Sequence, residues 1–309
     1  MKIGLHIGKF DWPGSPENVG EKIAEIAQTV DNAGFYSLWV MDHLFQLGDD
    51  FGTIHGPVEA AMLEGYTTIS YLAGLTQKIK LGLLVTCNFY REPGMLVKIL
   101  STLDVLSGGR TYMGIGAGWF ERETVGLGLD FPPLKERFER LEENLQIMKQ
   151  MWRGDASPYI GKHYQLAEPI NNPLPLSRPH PPILIGGGGE KKTLRLVAKY
   201  ADACNFVIYS QLEEAGVLQE DRKVSLERLQ RKLNILEQHC KDVGRPFSDI
   251  EKTVVTYIKP AHGFTTSDDV KLLIRQLEDL GFSHVIFNMP NVHEITPLKI
   301  IGDEVIAKI

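Results

Sequence analysis

The sequence predicts an α/β protein built as a closed (β/α)8 barrel, a single domain over residues 1–309. Three observations predict it. Eight short apolar strand patterns alternate with helical ones along the chain. The strands are apolar almost throughout, as parallel strands covered on both faces are. The rhythm runs through both halves, and eight is the number that closes a barrel. The competing arrangement is an open doubly wound sheet split near Arg153, but neither half carries the nucleotide fingerprint usual for that fold.

The elements follow in order. Lys2 to Gly8 alternates as a strand would, and a polar turn from Asp11 to Glu17 leads into a helix, Val19 to Ala33, on the spacing Val19, Ile23, Ile26, Ala27 and Val30. Gly34 stops it. Phe35 to Met41 is a strand ending in Asp42-His43, and Val58 to Leu75 is a helix broken by Gly65. Ile79 to Thr86 is the third strand, Met95 to Leu106 a helix, and Thr111 to Gly116 the fourth strand. Leu134 to Trp152 is strongly periodic, with Phe138, Leu141, Leu145 and Met148 on one stripe.

Residues 153–182 break the rhythm with Pro158, Pro169, Pro173, Pro175, Pro179, Pro181 and Pro182, a density that excludes a long helix. Tyr159, Tyr164, Leu166 and Ile170 lie among them, so the segment reads as an ordered insertion covering one end of the fold rather than a linker. The rhythm resumes with strand Ile183 to Ile185, helix Lys192 to Tyr200, strand Ala203 to Val207 and helix Leu218 to Val243. Strand Thr253 to Ile258, helix Ser267 to Leu280, strand His284 to Asn288 and a last helix from Leu298 to Ile306 complete it.

Bulk properties exclude several function classes. With 43% hydrophobic and 23% charged residues the chain is of ordinary globular composition. No apolar run approaches the roughly 18 residues of a membrane helix, and Met1 to His6 lacks a signal-peptide centre. A cytoplasmic protein is expected. The net charge of −6 without a basic run argues against nucleic acid. Cys87, Cys204 and Cys240 are far apart and have no C-x-x-C spacing, so neither a disulfide framework nor a metal cluster is expected.

In a barrel the chemistry sits at the C-terminal ends of the strands. That rule selects His6, Asp42-His43, the stretch from Val85 to Asn88, Gly116 to Trp119, Gly186 to Gly189, Tyr257 to Lys259 and Asn288-Met289. Asp42-His43 is the pair suited to proton transfer, because histidine titrates near neutrality and a carboxylate beside it can fix its tautomer or bind the ligand. The plainer alternative is a helix-capping aspartate beside a surface histidine. Gly114, Gly116 and Gly118 recur at every second position, which bares one strand face for a flat ligand or merely marks a bend in the core. They do not make a dinucleotide fingerprint, since G-x-G-x-x-G is absent. Gly186 to Gly189 opening the next helix offers free N–H groups to a phosphate; a flexible loop is the alternative reading. No hydrolase or metalloprotease motif is present.

These residues resemble a known family. Trp39-Val40-Met41-Asp42-His43, Ile79 to Thr86, Tyr90-Arg91-Glu92-Pro93, Thr102 to Arg110, Gly114 to Trp119 and Pro182 to Gly187 together, in order and over nearly the whole chain, resemble the bacterial luciferase-like superfamily. Within it the chain looks most like oxidoreductases that use coenzyme F-420, a deazaflavin. The resemblance implies a tricyclic cofactor at the barrel's C-terminal end, with a cis peptide near Leu84-Val85 behind the ring and Asp42 and His43 near its reactive carbon. It further implies contacts from Thr86, Cys87, Asn88, Ala117 and Gly118, a phosphate held by Gly187, Gly188, Gly189, Glu190, Lys192 and Thr193, and a homodimer.

Sugar-phosphate dehydrogenases of the family keep a catalytic glutamate just after the strand-four glycines, where this chain has Trp119. A nearly apolar wall and a flat or hydrophobic substrate follow, with His6 and Trp119 in the substrate pocket and His43 as the proton donor or acceptor. The pocket would be built by the loop Gln46 to Pro57, the proline-rich insertion and the loop after strand seven. An FMN-dependent monooxygenase and a non-catalytic deazaflavin carrier are the alternatives.

Overall fold

A computed structural model of the chain describes residues 1–48, 55–208, 222–261 and 264–309. Its elements in chain order are β1 (Lys2–Ile7), α1 (Val19–Asn32), β2 (Ser37–Val40), α2 (Gly65–Leu75), β3 (Lys80–Leu83), β4 (Thr86–Cys87), α3 (Pro93–Leu106) and β5 (Met113–Gly116). There follow α4 (Glu121–Gly126), α5 (Leu134–Trp152), the hairpin β6 (Tyr159–Ile160) and β7 (Gln165–Leu166), β8 (Ile183–Gly186), α6 (Thr193–Tyr200) and β9 (Ala203–Val207). The last are α7 (Arg222–Asp242), β10 (Glu251–Tyr257), α8 (Ser267–Asp279), β11 (His284–Asn288) and α9 (Thr296–Ile300).

The main sheet runs β3-β2-β1-β11-β10-β9-β8-β5-β4, all parallel. Because β3 and β4 are two halves of one strand, separated by a cis Leu84–Val85 peptide, and Leu81 bridges Thr111, the sheet closes on itself. Eight strand positions make the barrel, and the open-sheet alternative is overturned. Among the described residues no helix is long and apolar enough to cross a membrane.

Strand alternation sorts the core into two layers. Leu5, Leu38, Leu81, Ile115, Ile185, Phe206, Val254 and Phe287 point outward into the sleeve of helices. Trp39, Tyr112, Leu184, Ala203, Val255 and Ile286 point inward and fill the barrel. Trp39 is the largest of these and fits only because facing positions are bare: a Cβ on Gly82 would lie 2.6 Å from its ring. Buried polar groups close the N-terminal end, where Ser37 Oγ accepts from Trp39 Nε1 at 2.7 Å and lies 2.8 Å from His284 Nε2.

Three readings change. Gly65 does not break a helix from Val58; it starts α2, with the Glu64 carboxylate capping it by accepting from Tyr66 N and Thr67 N. The stretch Glu121–Gly126 is a short helix the sequence did not announce. The end of the chain is a π turn, Ile301–Val305, and a 3-10 turn, Ile306–Lys308, after α9. The expected helix start at 218–221 lies outside the described residues.

The glycine face of β5 also reads differently. A Cβ on Gly114 would fall 2.0 Å from the Leu83 carbonyl oxygen, and those on Gly116 and Gly186 would lie 2.9 and 2.8 Å from Val85 methyls. The bare face is therefore filled from within, by the step between β3 and β4. Gly114→Ala is expected to destabilise the fold by about 1–3 kcal/mol through overpacking against backbone. Gly74→Ala, on an open face of α2 with nothing within 4 Å, should instead stabilise by about 0.5–1 kcal/mol. Urea unfolding of both variants checks the pair of signs.

Candidate active site

A cavity of about 630 Å³ opens at the C-terminal end of the strands, within the range of small-molecule and cofactor sites. Its polar machinery is built from β2 outward. Past Val40 the chain carries Asp42, whose fully buried carboxylate receives Arg91 Nη1 and Nη2, each at 2.8 Å, and the Cys87 N–H at 3.0 Å. Arg91 also reaches Glu64 at 2.5 Å and lies 4.7 Å over the Tyr66 ring. Burial pushes the Asp42 carboxyl up from its usual range while Arg91 and the Cys87 N–H pull against it. A two-pronged bond to a permanently charged guanidinium keeps it ionised near neutrality. Asp42 is thus a strut joining β2, β4 and α2, and it is not the partner of the neighbouring histidine.

That partner is Glu123. The side chain comes from α4 and is completely buried. Oε1 lies 2.7 Å from His43 Nδ1 and accepts from Tyr90 Oη at 2.5 Å; Oε2 accepts from Leu44 N at 2.5 Å and Phe45 N at 3.0 Å. Burial alone would raise the Glu123 carboxyl, but His43, Tyr90 and Phe45 N outweigh it and hold it below its ordinary value. A carboxylate can only accept, so His43 Nδ1 carries a proton and Nε2 is the nitrogen left for the cavity. Trp119 and Phe120 stand edge-on to the imidazole, at centroid distances of 5.5 and 5.7 Å.

The expected residues divide. His6, Asp42, His43, Leu84, Val85, Thr86, Cys87, Ala117, Gly118, Gly187 and Trp119 all line the cavity. Thr86 Oγ1 is 2.7 Å from Tyr66 Oη, and burial pushes the Cys87 thiol up to about 12, so it stays protonated. Asn88 does not reach the cavity: its Nδ2 donates to the Arg137 carbonyl, which ties the strand end to α5. Gly188, Gly189, Glu190, Lys192 and Thr193 do not line it either, and form the turn into α6. There Lys232 Nζ donates to the Gly188 carbonyl, Arg231 holds Glu190 at 2.8 Å, and Lys192 Nζ lies 5.1 Å over Phe138, itself a lining residue.

Two expectations about the walls are corrected. The wall beside Trp119 is not nearly apolar, because Glu123 and Tyr90 line it. No residue of 153–182 lines the cavity. That segment packs on α3 and α5 instead, where Glu143 accepts from the N–H groups of Lys162 and Tyr164, and Asp104 accepts from Ser177 N. Of the Gln46 to Pro57 loop, Leu47 and His55 line the cavity and residues 49–54 lie outside the described residues. At the end of β10, Tyr257 lines it, while 262–263, in the loop that follows, lie outside the described residues. Sequence reasoning passed over Glu123, the strut role of Arg91, and His55.

Residues 1–236 match the luciferase-like monooxygenase family. The chain belongs to that family. A family relative, an F-420-dependent glucose-6-phosphate dehydrogenase of Microbacterium testaceum, is 25% identical over 97% of both chains. Among solved structures the fold is shared with an F-420-dependent secondary alcohol dehydrogenase in complex with an F-420-acetone adduct, at a TM-score of 0.79, 16% identity, and 99% and 98% coverage. It is likewise shared with the oxygenating constituent of 3,6-diketocamphane monooxygenase of Pseudomonas putida in complex with FMN, at a TM-score of 0.73, 16% identity, and 100% and 99% coverage. Within the family's fold, then, the Glu123–His43 pair is what this chain places at the cavity.

Because the folded Glu123 carboxyl lies below its unfolded value, its contribution to stability is complete above the unfolded value, roughly 4.3 for a glutamate. It is lost as pH falls through the folded value. Glu123→Gln is expected to lose about 1–3 kcal/mol at pH 7 and to flatten the stability curve between about pH 5 and 3. Urea unfolding across that range reads both effects, and an unchanged slope would count against the pairing.

Proposed function

We propose that the chain is an oxidoreductase that moves a hydride between coenzyme F-420 and an organic substrate, with His43 exchanging the accompanying proton. The observation that carries this reading is the buried Glu123 carboxylate that fixes the His43 tautomer at the edge of the cavity. When bound, the deazaflavin supplies a two-electron carbon centre that gives or takes hydride. The residues present fit such a group. The Val85 step and the backbone from Gly116 to Gly118 form a largely apolar bed in a cavity of adequate volume, and Gly187 lines the cavity just past β8.

The chain's own groups then have distinct tasks. Glu123 holds the proton on Nδ1, so Nε2 is the port at which a proton enters or leaves the substrate. Trp119 and Phe120 pack on the imidazole and restrict its rotation and its contact with water. Asp42 and Arg91 fix the end of β2 against β4, and so fix where His43 stands.

The relatives named for coenzyme F-420 support the deazaflavin over FMN, and the Pseudomonas putida protein keeps FMN monooxygenation as the second reading. Fluorescence titration of the purified chain with F-420 is expected to show binding that FMN does not compete away. Preferential FMN binding together with substrate-dependent oxygen uptake would reverse the assignment. With F-420 bound, His43→Ala should lower turnover by about 10²–10⁴-fold without a matching loss of F-420 binding. A variant that turns over normally would remove His43 from the chemistry, whereas F-420 binding by the wild type with no oxidation or reduction of the bound ring would favour a carrier protein.

A further inference from the structure

His6 and His55 are not used by the proton path described above, yet both line the same cavity. His6 stands at the C-terminal end of β1, 6% exposed, in register with Asn288 of β11. Asn288 Nδ2 lies 3.1 Å from His6 Nδ1. An amide nitrogen can only donate, so His6 Nδ1 accepts and the proton of the neutral ring is on Nε2. That Nε2–H is buried and has no hydrogen-bond partner. His55 is 4% exposed, and its Nδ1 is likewise buried without a partner. Unpartnered polar atoms of this kind are rare in folded proteins and call for an explanation. These two share one cavity, where a ligand can meet them.

The chemistry of that ligand is constrained from several sides. Burial pushes the His6 ring down to about 3, helped by His55 and His43, and pushes His55 down to about 4, helped by His43. Both rings are therefore neutral at physiological pH and offer no charge to an anion. No lysine or arginine is among the described lining residues. The surroundings are apolar, with Met41, Leu47, Val207 and Val255 on the same cavity. A donor N–H at His6 requires an acceptor, and an oxygen that both accepts and donates would serve the two histidines together.

We propose that His6 and His55 form the binding site for an uncharged substrate oxygen, and that the substrates are carbonyl compounds or alcohols with an apolar body rather than phosphorylated sugars. This rests on the oxidoreductase reading for the chemistry but not for the binding. The two rings hold the oxygen and are given no part in proton transfer. A phosphorylated sugar would bring about two negative charges to a cavity in which no cation among the described lining residues meets them.

The test uses the full-length protein with and without F-420, and carbonyl-13C-labelled cyclohexanone as the probe. Bound to the wild type, the probe's carbonyl resonance is expected to move downfield as an accepted hydrogen bond forms. His6→Leu should weaken binding by about tenfold, the usual worth of a net hydrogen bond, and abolish the shift, whereas His6→Gln, which keeps an N–H donor, retains part of it. Methylenecyclohexane, of the same shape without the oxygen, should bind wild type and His6→Leu alike. One ring N–H of His55 is held by the Gly8 carbonyl, which leaves Nδ1 as an acceptor. His55→Leu is therefore read with cyclohexanol, whose hydroxyl can donate to it, and gives a second, independent loss of affinity should His6→Leu not fold. Failure of cyclohexanone to bind the wild type, affinity unchanged in the leucine variants, or tighter binding of glucose 6-phosphate than of the ketone would overturn the site. Absence of F-420 binding would instead sink the oxidoreductase reading, and the ketone titration without cofactor would still decide the oxygen site.

Discussion

The sideways step of the third strand, between Leu83 and Thr86, is the constraint from which the site follows. It exists only because the neighbouring strands yield room: Gly114 lies under the Leu83 carbonyl, and Gly116 and Gly186 lie against the two methyls of Val85. With the step made, Leu84 and Val85 become part of the cavity lining. The chain re-enters the sheet at Thr86 and Cys87 in register with Ile115 and Gly116. The Cys87 N–H then reaches Asp42, and Arg91 arrives from just beyond to complete the strut. A methyl group at position 114 would disturb floor and strut at once.

Electrostatics divides the site into a paired outer frame and a neutral interior. Asp42 is neutralised by Arg91, and Glu123 is satisfied by four donors. Both carboxylates are spent on architecture. What faces the cavity with polar atoms to spare is a set of imidazoles, two of them held neutral by burial. A low-dielectric interior of this kind punishes an unpaired ionic ligand and favours a dipolar one. That distinction separates the substrate class argued for here from the sugar phosphate in the name of a relative.

How much of this was legible in the sequence depends on the range of the interactions involved. The barrel was legible because strand alternation and helical stripes are local; α5 falls on the expected Leu134 to Trp152, and β11 on His284 to Asn288. The strand-end rule found His6, Asp42 and His43 because position along a strand is also local. The strut was not legible, since Arg91 and Asp42 are 49 residues apart and nothing in either neighbourhood announces the other. His55 sits in a loop without periodicity. Gly65 was misread because a glycine inside an apolar run marks a helix start as readily as a break, and only the Glu64 cap decides between them.

Glu123 is the instructive case. The family resemblance implies a carboxylate where this chain has Trp119, and on the sequence alone that suggests an acid missing from the wall. Trp119 is half exposed, so a carboxylate there would remain hydrated and free to act directly on a substrate. At position 123, at most a turn of helix further on, the carboxylate is instead sealed off from water and saturated with donors. It can no longer exchange protons with a substrate without breaking several bonds. In this chain the carboxylate at position 123 instead holds His43, through the contact of its Oε1 with Nδ1. Where it lines the cavity the Glu123 carboxylate is thus matched by its four donors, and His6 and His55 are the neutral imidazoles proposed for the substrate oxygen.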